Sequence, residues 1–491
     1  MSSVRSGLIL SSIERYGVLL MGLATTFVTA RLLTPADFGI AIIGMAIFGL
    51  IDIFRDFGGG TYIIQIDEPT PHRVQTVFTV TMLLAIPLFV ILFFFSGEIA
   101  SFYGSPGLQS YLHVSAWCLL LSSFSSPAYA LLCRNLQFGK LTILSLTSTT
   151  LNSLLTIVLA LMGFSYMSYA WGQLLASVVY FGLCVAWGPK FPIYRLSLME
   201  WRRVTAYGIY DCARALLNHL GDAAPFLAFG KTIGTEALGI YQRALTVSRL
   251  PERTVLAGFA PVLQPAFSKH AREGQNLSRS FLLGVEHVTV LLWPALIGIV
   301  LLAHPLVMIL VGPQWKATVP IVQVIATSFL VWFPMNLPRP ALVAVGAVRD
   351  TALIAVLTVP IMVNVQIAAS FYGLTAVAWS FFAANLYAVL VSMYFVRRNI
   401  SLPWTALLRA MSKSAIVTVV SAVPSLLMVI WMGGTEHLSI ADGVGSAMMS
   451  AAWWFLAIHW AGHPIKNEIA CAIEAIGAAT ISPSTLQNLK S

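Results

Sequence analysis

Charge is what this sequence has least of. Lys, Arg, Asp and Glu together make up 10% of its 491 residues, while hydrophobic residues make up 58%. A soluble domain carries roughly 25% charged residues, so the shortage excludes a water-facing globule of this size. Cysteine is scarce too. Of the five cysteines, Cys118, Cys133, Cys184 and Cys212 fall in apolar runs and Cys471 in the C-terminal tail, without paired spacing. They read as small buried apolar residues, which excludes a disulfide framework or a thiolate metal site. The enzyme signatures CxxC, HExxH and GxSxG are missing. No GK[ST] follows a glycine run, and no loop is long enough for a nucleotide-binding domain, so transport driven by the chain's own ATP hydrolysis is excluded. Nothing calls for a metal or a bound cofactor. No A-x-A-like site follows the first apolar run, which is therefore expected to be retained as a span.

What the sequence has in quantity is apolar runs of roughly 20 residues, the length that crosses a bilayer. Backbone amides in lipid need internal partners, so helices or a closed barrel are the choices. Runs such as residues 81–95 (TMLLAIPLFVILFFF) do not alternate as barrel strands would. The expected fold class is all-α, a polytopic membrane protein of about 14 transmembrane helices. With the N-terminus in the cytoplasm, about 20 basic residues fall on cytoplasmic segments and about three (Arg31, Lys231, Lys316) on external ones. That skew predicts cytoplasmic N- and C-termini and accounts for the net charge of +9 without nucleic acid.

The halves of the chain echo each other. RLLTPADFGI at 31–40 and KTIGTEALGI at 231–240 align at an offset of 200, pairing Arg31 with Lys231 and Gly39 with Gly239. SFYGSP around Gly104 echoes MILVGP around Gly312, in equivalent external loops. The expected layout is an N-terminal lobe of six spans (1–188), a basic inter-lobe loop (189–203) and a C-terminal lobe of six spans (204–400). Two further spans (401–462) and a cytoplasmic tail (463–491) follow. The lobes are expected to be related by an axis along the membrane normal. Ile465, Ile469, Ile473 and Ile476 give the tail helical spacing, suited to the membrane surface or to a buried contact.

Ionisable groups within spans are costly and mark function or structural pairing. Asp211, Arg214, Asn218 and Asp222 are spaced 3, 4 and 4 and share one helix face. Asp211 and Asp222 are candidates for ion coupling. Gln242, Thr246, Arg249 and Arg253 share a face in the next span, where Pro251 should kink the helix. Guanidiniums bind phosphate oxygens bidentately, so Arg214, Arg249 and Arg253, with Asn218 and Gln242, are the candidate substrate contacts. Snorkelling at the interface is the structural alternative for Arg249 and Arg253. Glu14–Arg15 read as an interfacial pair and Glu286–His287 as a helix contact. DIFRDFGGG at 52–60 reads as a helix end or hinge.

ARLLTPADFGI and DFGGGTYIIQ resemble the first two spans of the polysaccharide-transporter (Wzx-like) branch of the MOP exporter superfamily. The resemblance is carried by Arg31, Leu32, Leu33, Thr34, Pro35, Asp37, Phe38, Gly39, Asp56, Gly58, Ile64 and Gln65. A second stretch is similar to that family's seventh and eighth spans, at Asn218, Asp222, Leu238, Gly239, Tyr241, Arg243, Ala244, Pro251 and 265–268 (PAFS). FGKTIG at 229–234 departs slightly from its glycine pattern, and VGPQW at 311–315 matches the element before the tenth span. The resemblance implies a V-shaped, alternating-access transporter of two six-helix lobes plus two spans, in a bacterial inner membrane. The implied cargo is an undecaprenyl-pyrophosphate-linked oligosaccharide for exopolysaccharide or lipopolysaccharide biosynthesis, with proton or sodium antiport. Membrane lipid, a polysaccharide polymerase and a chain-length regulator are the implied partners. A multidrug exporter of the same superfamily is the alternative.

Overall fold

The computed structural model describes residues 2–188 and 192–466. Side chains are described from Glu14 onward, except those of Arg15, 217–218, 256–262 and 333–334. Cys471 and the tail positions Ile469, Ile473 and Ile476 lie outside the described residues. Those described form helices and turns, with no strand among them.

In chain order the helices are α1 (Ser2–Leu32), α2 (Pro35–Asp56), α3 (Gly59–Gln65), α4 (Pro71–Phe94), α5 (Ser96–Phe102), α6 (Pro106–Arg134), α7 (Phe138–Leu161), α8 (Met167–Trp187), α9 (Trp201–Thr232) and α10 (Gly234–Ser248). They continue as α11 (Leu250–Arg272), α12 (Leu277–Leu301), α13 (Ala303–Leu310), α14 (Thr318–Trp332), α15 (Pro338–Ala344), α16 (Val348–Ser370), α17 (Leu374–Ile400), α18 (Trp404–Trp431) and α19 (Ile440–Trp460). Among the described residues nine helices are long and apolar enough to cross a membrane: α2, α4, α6, α7, α8, α12, α16, α17 and α18. The other five expected spans fall short for identifiable reasons. Among the described side chains α1 is apolar over Tyr16–Leu32, and α14 is apolar over the 15 residues Thr318–Trp332. Six charges interrupt α9, from Arg202 to Lys231. The span expected to carry Gln242, Arg249 and Pro251 is divided into α10 and α11, and α19 dilutes its apolar residues with Asp442, Gly443, Gly445, Ser446 and Ser450.

The chain divides into two compact units. The first comprises Met1–Arg243, Leu310–Ala317 and Val363–Val377. Here α2 starts with Pro35 in its first turn, behind Thr34, whose hydroxyl oxygen accepts from the Asp37 amide at 3.2 Å. Proline at that position needs no amide partner, and threonine satisfies an orphan donor. The helix ends where Phe57 (φ 44°) and Gly58 (φ 67°) both turn left-handed, and α3 begins at once. The Arg134 guanidinium caps that short helix by donating to the carbonyls of Ile63, Ile64, Ile66 and Asp67. The segment from Pro192 to Met199 is laced to α4. Gln75 Nε2 donates to Pro192 O (2.8 Å), Thr76 Oγ1 donates to Met199 O (2.7 Å), and Ser197 N donates to Thr79 Oγ1 (2.9 Å).

Within this first unit the sequence echoes meet reciprocally. A Cβ on Gly39 would lie 1.8 Å from Thr235 O, and a Cβ on Gly239 would lie 2.0 Å from Pro35 O. At the offset of 200 these are one contact made twice, 39 on 235 and 239 on 35. The loop echoes cross over in the same way. Lys231 Nζ donates to Phe102 O at 2.6 Å, and Arg31 lies against Gly312. Gln314 Nε2 and Trp315 Nε1 each donate to Ala30 O at 2.6 Å. Arg243 completes this region, 1% exposed, its guanidinium 3.6 Å from the Phe38 ring centroid and 5.3 Å from that of Trp315.

The second unit comprises Ala244–Ile309, Thr318–Met362 and Ala378–Ser491. Phe267, Phe281, Val285, Leu337, Met393 and Val396 anchor its main core. α12 and α18 are joined at membrane depth by Thr289 Oγ1 donating to Ser414 Oγ (2.8 Å). His463, fully buried beyond α19, bonds through Nε2 to Ser414 Oγ (3.2 Å), and Trp454 Nε1 donates to Val290 O (2.8 Å). An apolar pocket of about 420 Å³ lies among α12, α18 and α19, lined by Pro294, Gly298, Ala422, Ala451 and Trp454 among others.

Candidate functional site

In the first unit, charges at the end of the apolar helix α2 lie beside charges on α9. Helical spacing brings Asp52, Arg55 and Asp56 to one face at the end of α2. Arg55 Nε donates to Asp52 Oδ1 at 2.7 Å, and its Nη1 lies 3.8 Å from Asp56 Oδ1. The Arg55 side chain is 7% exposed. Ser126 Oγ on α6 donates to Asp56 Oδ1 at 3.4 Å. The left-handed turn at Phe57–Gly58 then lets α9 come close. A Cβ on Gly58 would lie 2.8 Å from Asp211 Cβ, and one on Gly208 would lie 2.2 Å from Phe57 Cδ1. Two glycines thus create the space in which Asp211 sits. Arg214 donates to Asp211 Oδ1 from Nη2 (2.8 Å) and Nε (3.1 Å), and Thr61 Oγ1 donates to Oδ2 at 3.5 Å.

The structure therefore joins Asp211 and Arg214, as their i, i+3 spacing predicts. It adds Asp52, Arg55 and Asp56, which sequence reasoning took as part of a helix end. The missed signal is three charges at i, i+3 and i+4 within a span, one helix face as in α9. Asp222 is exposed on α9, eleven residues beyond Asp211 and so about 16 Å along the helix, too far to share this cluster. The side chain of Asn218 lies outside the described residues.

Gln242 is half-buried on α10. Arg249 stands at the junction of α10 and α11, where the helix breaks just ahead of Pro251, as proline chemistry predicts. Its guanidinium lies 5.5 Å from the Phe329 ring centroid. Arg253, a turn later, is exposed, and Glu252 Oε1 accepts from Asn336 Nδ2 at 3.2 Å. The break is one residue long, and the chain bonds across it, Arg249 N donating to Leu245 O and Arg253 N to Arg249 O, each at 3.0 Å, so the cationic character of the junction comes from the Arg249 and Arg253 side chains. Among the described residues no group of three or more His, Cys, Asp or Glu is placed to hold a metal ion.

Comparisons with known proteins concern the chain and its fold. A family model described as "Polysaccharide biosynthesis protein" matches residues 28–320. The succinoglycan biosynthesis transport protein ExoT of Rhizobium meliloti is 24% identical over 68% of this chain and 68% of its own length. The teichuronic acid biosynthesis protein TuaB of Bacillus subtilis is 24% identical over 82% of this chain and 83% of its own. The lipopolysaccharide biosynthesis protein WzxC of Escherichia coli is 24% identical over 65% of each. Among solved structures the fold is similar to the lipid II flippase MurJ in an inward closed conformation. The TM-score is 0.70 at 14% identity, covering 92% of this chain and 97% of that one. It is also similar to an inward-facing multidrug resistance MATE transporter of the MOP superfamily. There the TM-score is 0.63 at 16% identity, covering 79% and 98%.

Proposed function

Since the chain belongs to the polysaccharide biosynthesis protein family, as a Wzx-like member of the MOP superfamily, we propose that it flips undecaprenyl-pyrophosphate-linked oligosaccharide repeat units across the bacterial inner membrane. Family and fold together support a multi-pass membrane flippase for lipid-linked polysaccharide precursors. The observation that carries this proposal is Arg214 on α9, an exposed guanidinium tethered to a largely buried carboxylate. A pyrophosphate bearing sugars cannot cross hydrocarbon unaided, and an arginine offers it a planar, bidentate partner. On this reading Arg214, Arg249, Arg253, Asn218 and Gln242 contact cargo, and Asp211 and Asp222 handle a coupling proton or sodium ion by antiport. The reading keeps two six-span lobes (1–188 and 204–400) around the 189–203 loop, two spans at 401–462, the cytoplasmic tail from 463 and both termini inside. A polymerase and a chain-length regulator would act on the product.

The fold's likeness to a multidrug transporter favours a second reading, export of small cations. Arginines at the site oppose it, because a cationic drug meets like charge. Both readings are tested in liposomes holding the purified protein. Protein-dependent movement of a fluorescent undecaprenyl-pyrophosphate oligosaccharide between leaflets, lost in Arg214→Ala and reduced in Arg249→Ala, supports the flippase. Folded protein that moves no such lipid but binds cationic dyes supports the drug exporter.

A further inference from the structure

Asp211 and Arg214 are unequal partners. The Asp211 side chain is 15% exposed and the Arg214 side chain 66%, so the arginine can leave toward solvent or ligand while the carboxylate cannot. What would remain around Asp211 is inadequate. From α3 only the Thr61 hydroxyl reaches it, at 3.5 Å, and that helix bears no charge. From α2 come two more carboxylates, Asp52 and Asp56, and a single guanidinium, Arg55, already 2.7 Å from Asp52. On α9 the neighbouring titratable groups are Tyr207 and Cys212. The charges of α4, His72 and Arg73, stand in its first turn, Arg73 with Glu200 at 3.3 Å. Three carboxylates thus share two guanidiniums, and withdrawing Arg214 leaves three with one.

An unpaired carboxylate in so enclosed a place is costly, so a cation must replace the one withdrawn. We propose that Arg214 is an exchangeable partner: when a diphosphate headgroup takes its guanidinium, Asp211 takes up one proton from the medium. This rests on the flippase reading above and changes one role in it, moving Asp211 from antiport to proton uptake with the cargo. Linkage makes the effect reciprocal. A proton on Asp211 frees Arg214, so acidity tightens diphosphate binding, by up to about tenfold per pH unit for one proton. Asp211 then binds its proton together with the cargo rather than in exchange for it, which leaves antiport to Asp222. The bound proton also removes one unit of the negative charge that the loaded site carries.

The test is calorimetric titration of the full-length protein in nanodiscs with undecaprenyl pyrophosphate, in buffers of different ionisation enthalpy and at several pH values. Wild type is expected to take up about one more proton per ligand than Asp211→Asn. That variant mimics the protonated carboxyl, so it should bind at least as tightly as wild type and with a shallower pH dependence. Arg214→Gln should lose about tenfold or more in affinity together with the extra proton, and Arg214→Lys should recover part of both. Comparing wild type with Arg214→Gln gives a second measure should Asp211→Asn not fold. Equal proton counts in wild type and variants, with binding intact, overturn the exchange and leave the flippase reading standing. Absence of undecaprenyl pyrophosphate binding by folded wild type removes both.

Discussion

Arg243 shows how much a residue's neighbours decide. In the sequence it is one of several arginines within spans, indistinguishable in kind from Arg249. In the structure it is sealed between the rings of Phe38 and Trp315, residues from opposite halves of the chain. Cation–π contact and dispersion hold it. Such a residue contributes through its bulk as much as its charge. Arg243→Ala should therefore destabilise by about 2–4 kcal/mol, leaving a cavity, while Arg243→Met, similar in length and free of desolvation cost, should lose about 1.5 kcal/mol or less. Thermal unfolding midpoints in detergent would check this. Equal losses in the two variants would mean that the charge, not the bulk, matters.

Elements fail where their ends fail, and two ends here are informative. The α2–α3 turn depends on Gly58, both for its left-handed backbone and because Asp211 occupies the space where a Cβ would be. Gly58→Ala should cost about 1–2 kcal/mol in backbone strain. It should also push Asp211 from Arg214, so lipid movement should fall more than stability does. An unchanged transport rate in the variant would count against the cluster. The other end is the turn after α19, where His463 is buried against α18. Burial, then the nearby His287 and Lys413, push its imidazole down to about 4. Its unfolded value is near 6.5. The neutral ring's contribution to stability is thus fully present above about pH 6.5 and is lost as pH falls toward about 4. The unfolding midpoint should fall over that window, and His463→Gln should flatten the fall. A variant profile parallel to wild type would remove His463 as the cause.

At the scale of the whole molecule, most of the fold was legible because lipid as solvent leaves few options. Apolar runs such as residues 81–95 could only be helices, and Pro251 marked a kink by its chemistry. The charged elements were harder. α9 holds six charges over its length, and its sequence did not say that Asp211 and Arg214 would lie near Asp52, Arg55 and Asp56 of α2. The repeat was visible as two faint echoes, yet nothing in one dimension said that Gly39 would rest on Thr235 and Gly239 on Pro35. That contact has a meaning beyond packing. At this point each repeat gives the other the contact that it receives, as residue i on j and j on i across the interface of a symmetric dimer, here within one polypeptide. The peptide link between the halves should then be dispensable. Fragments 1–190 and 191–491, made as separate chains in one cell, should assemble and copurify. Gly239→Trp, which places an indole where Pro35 O now lies, should keep them apart.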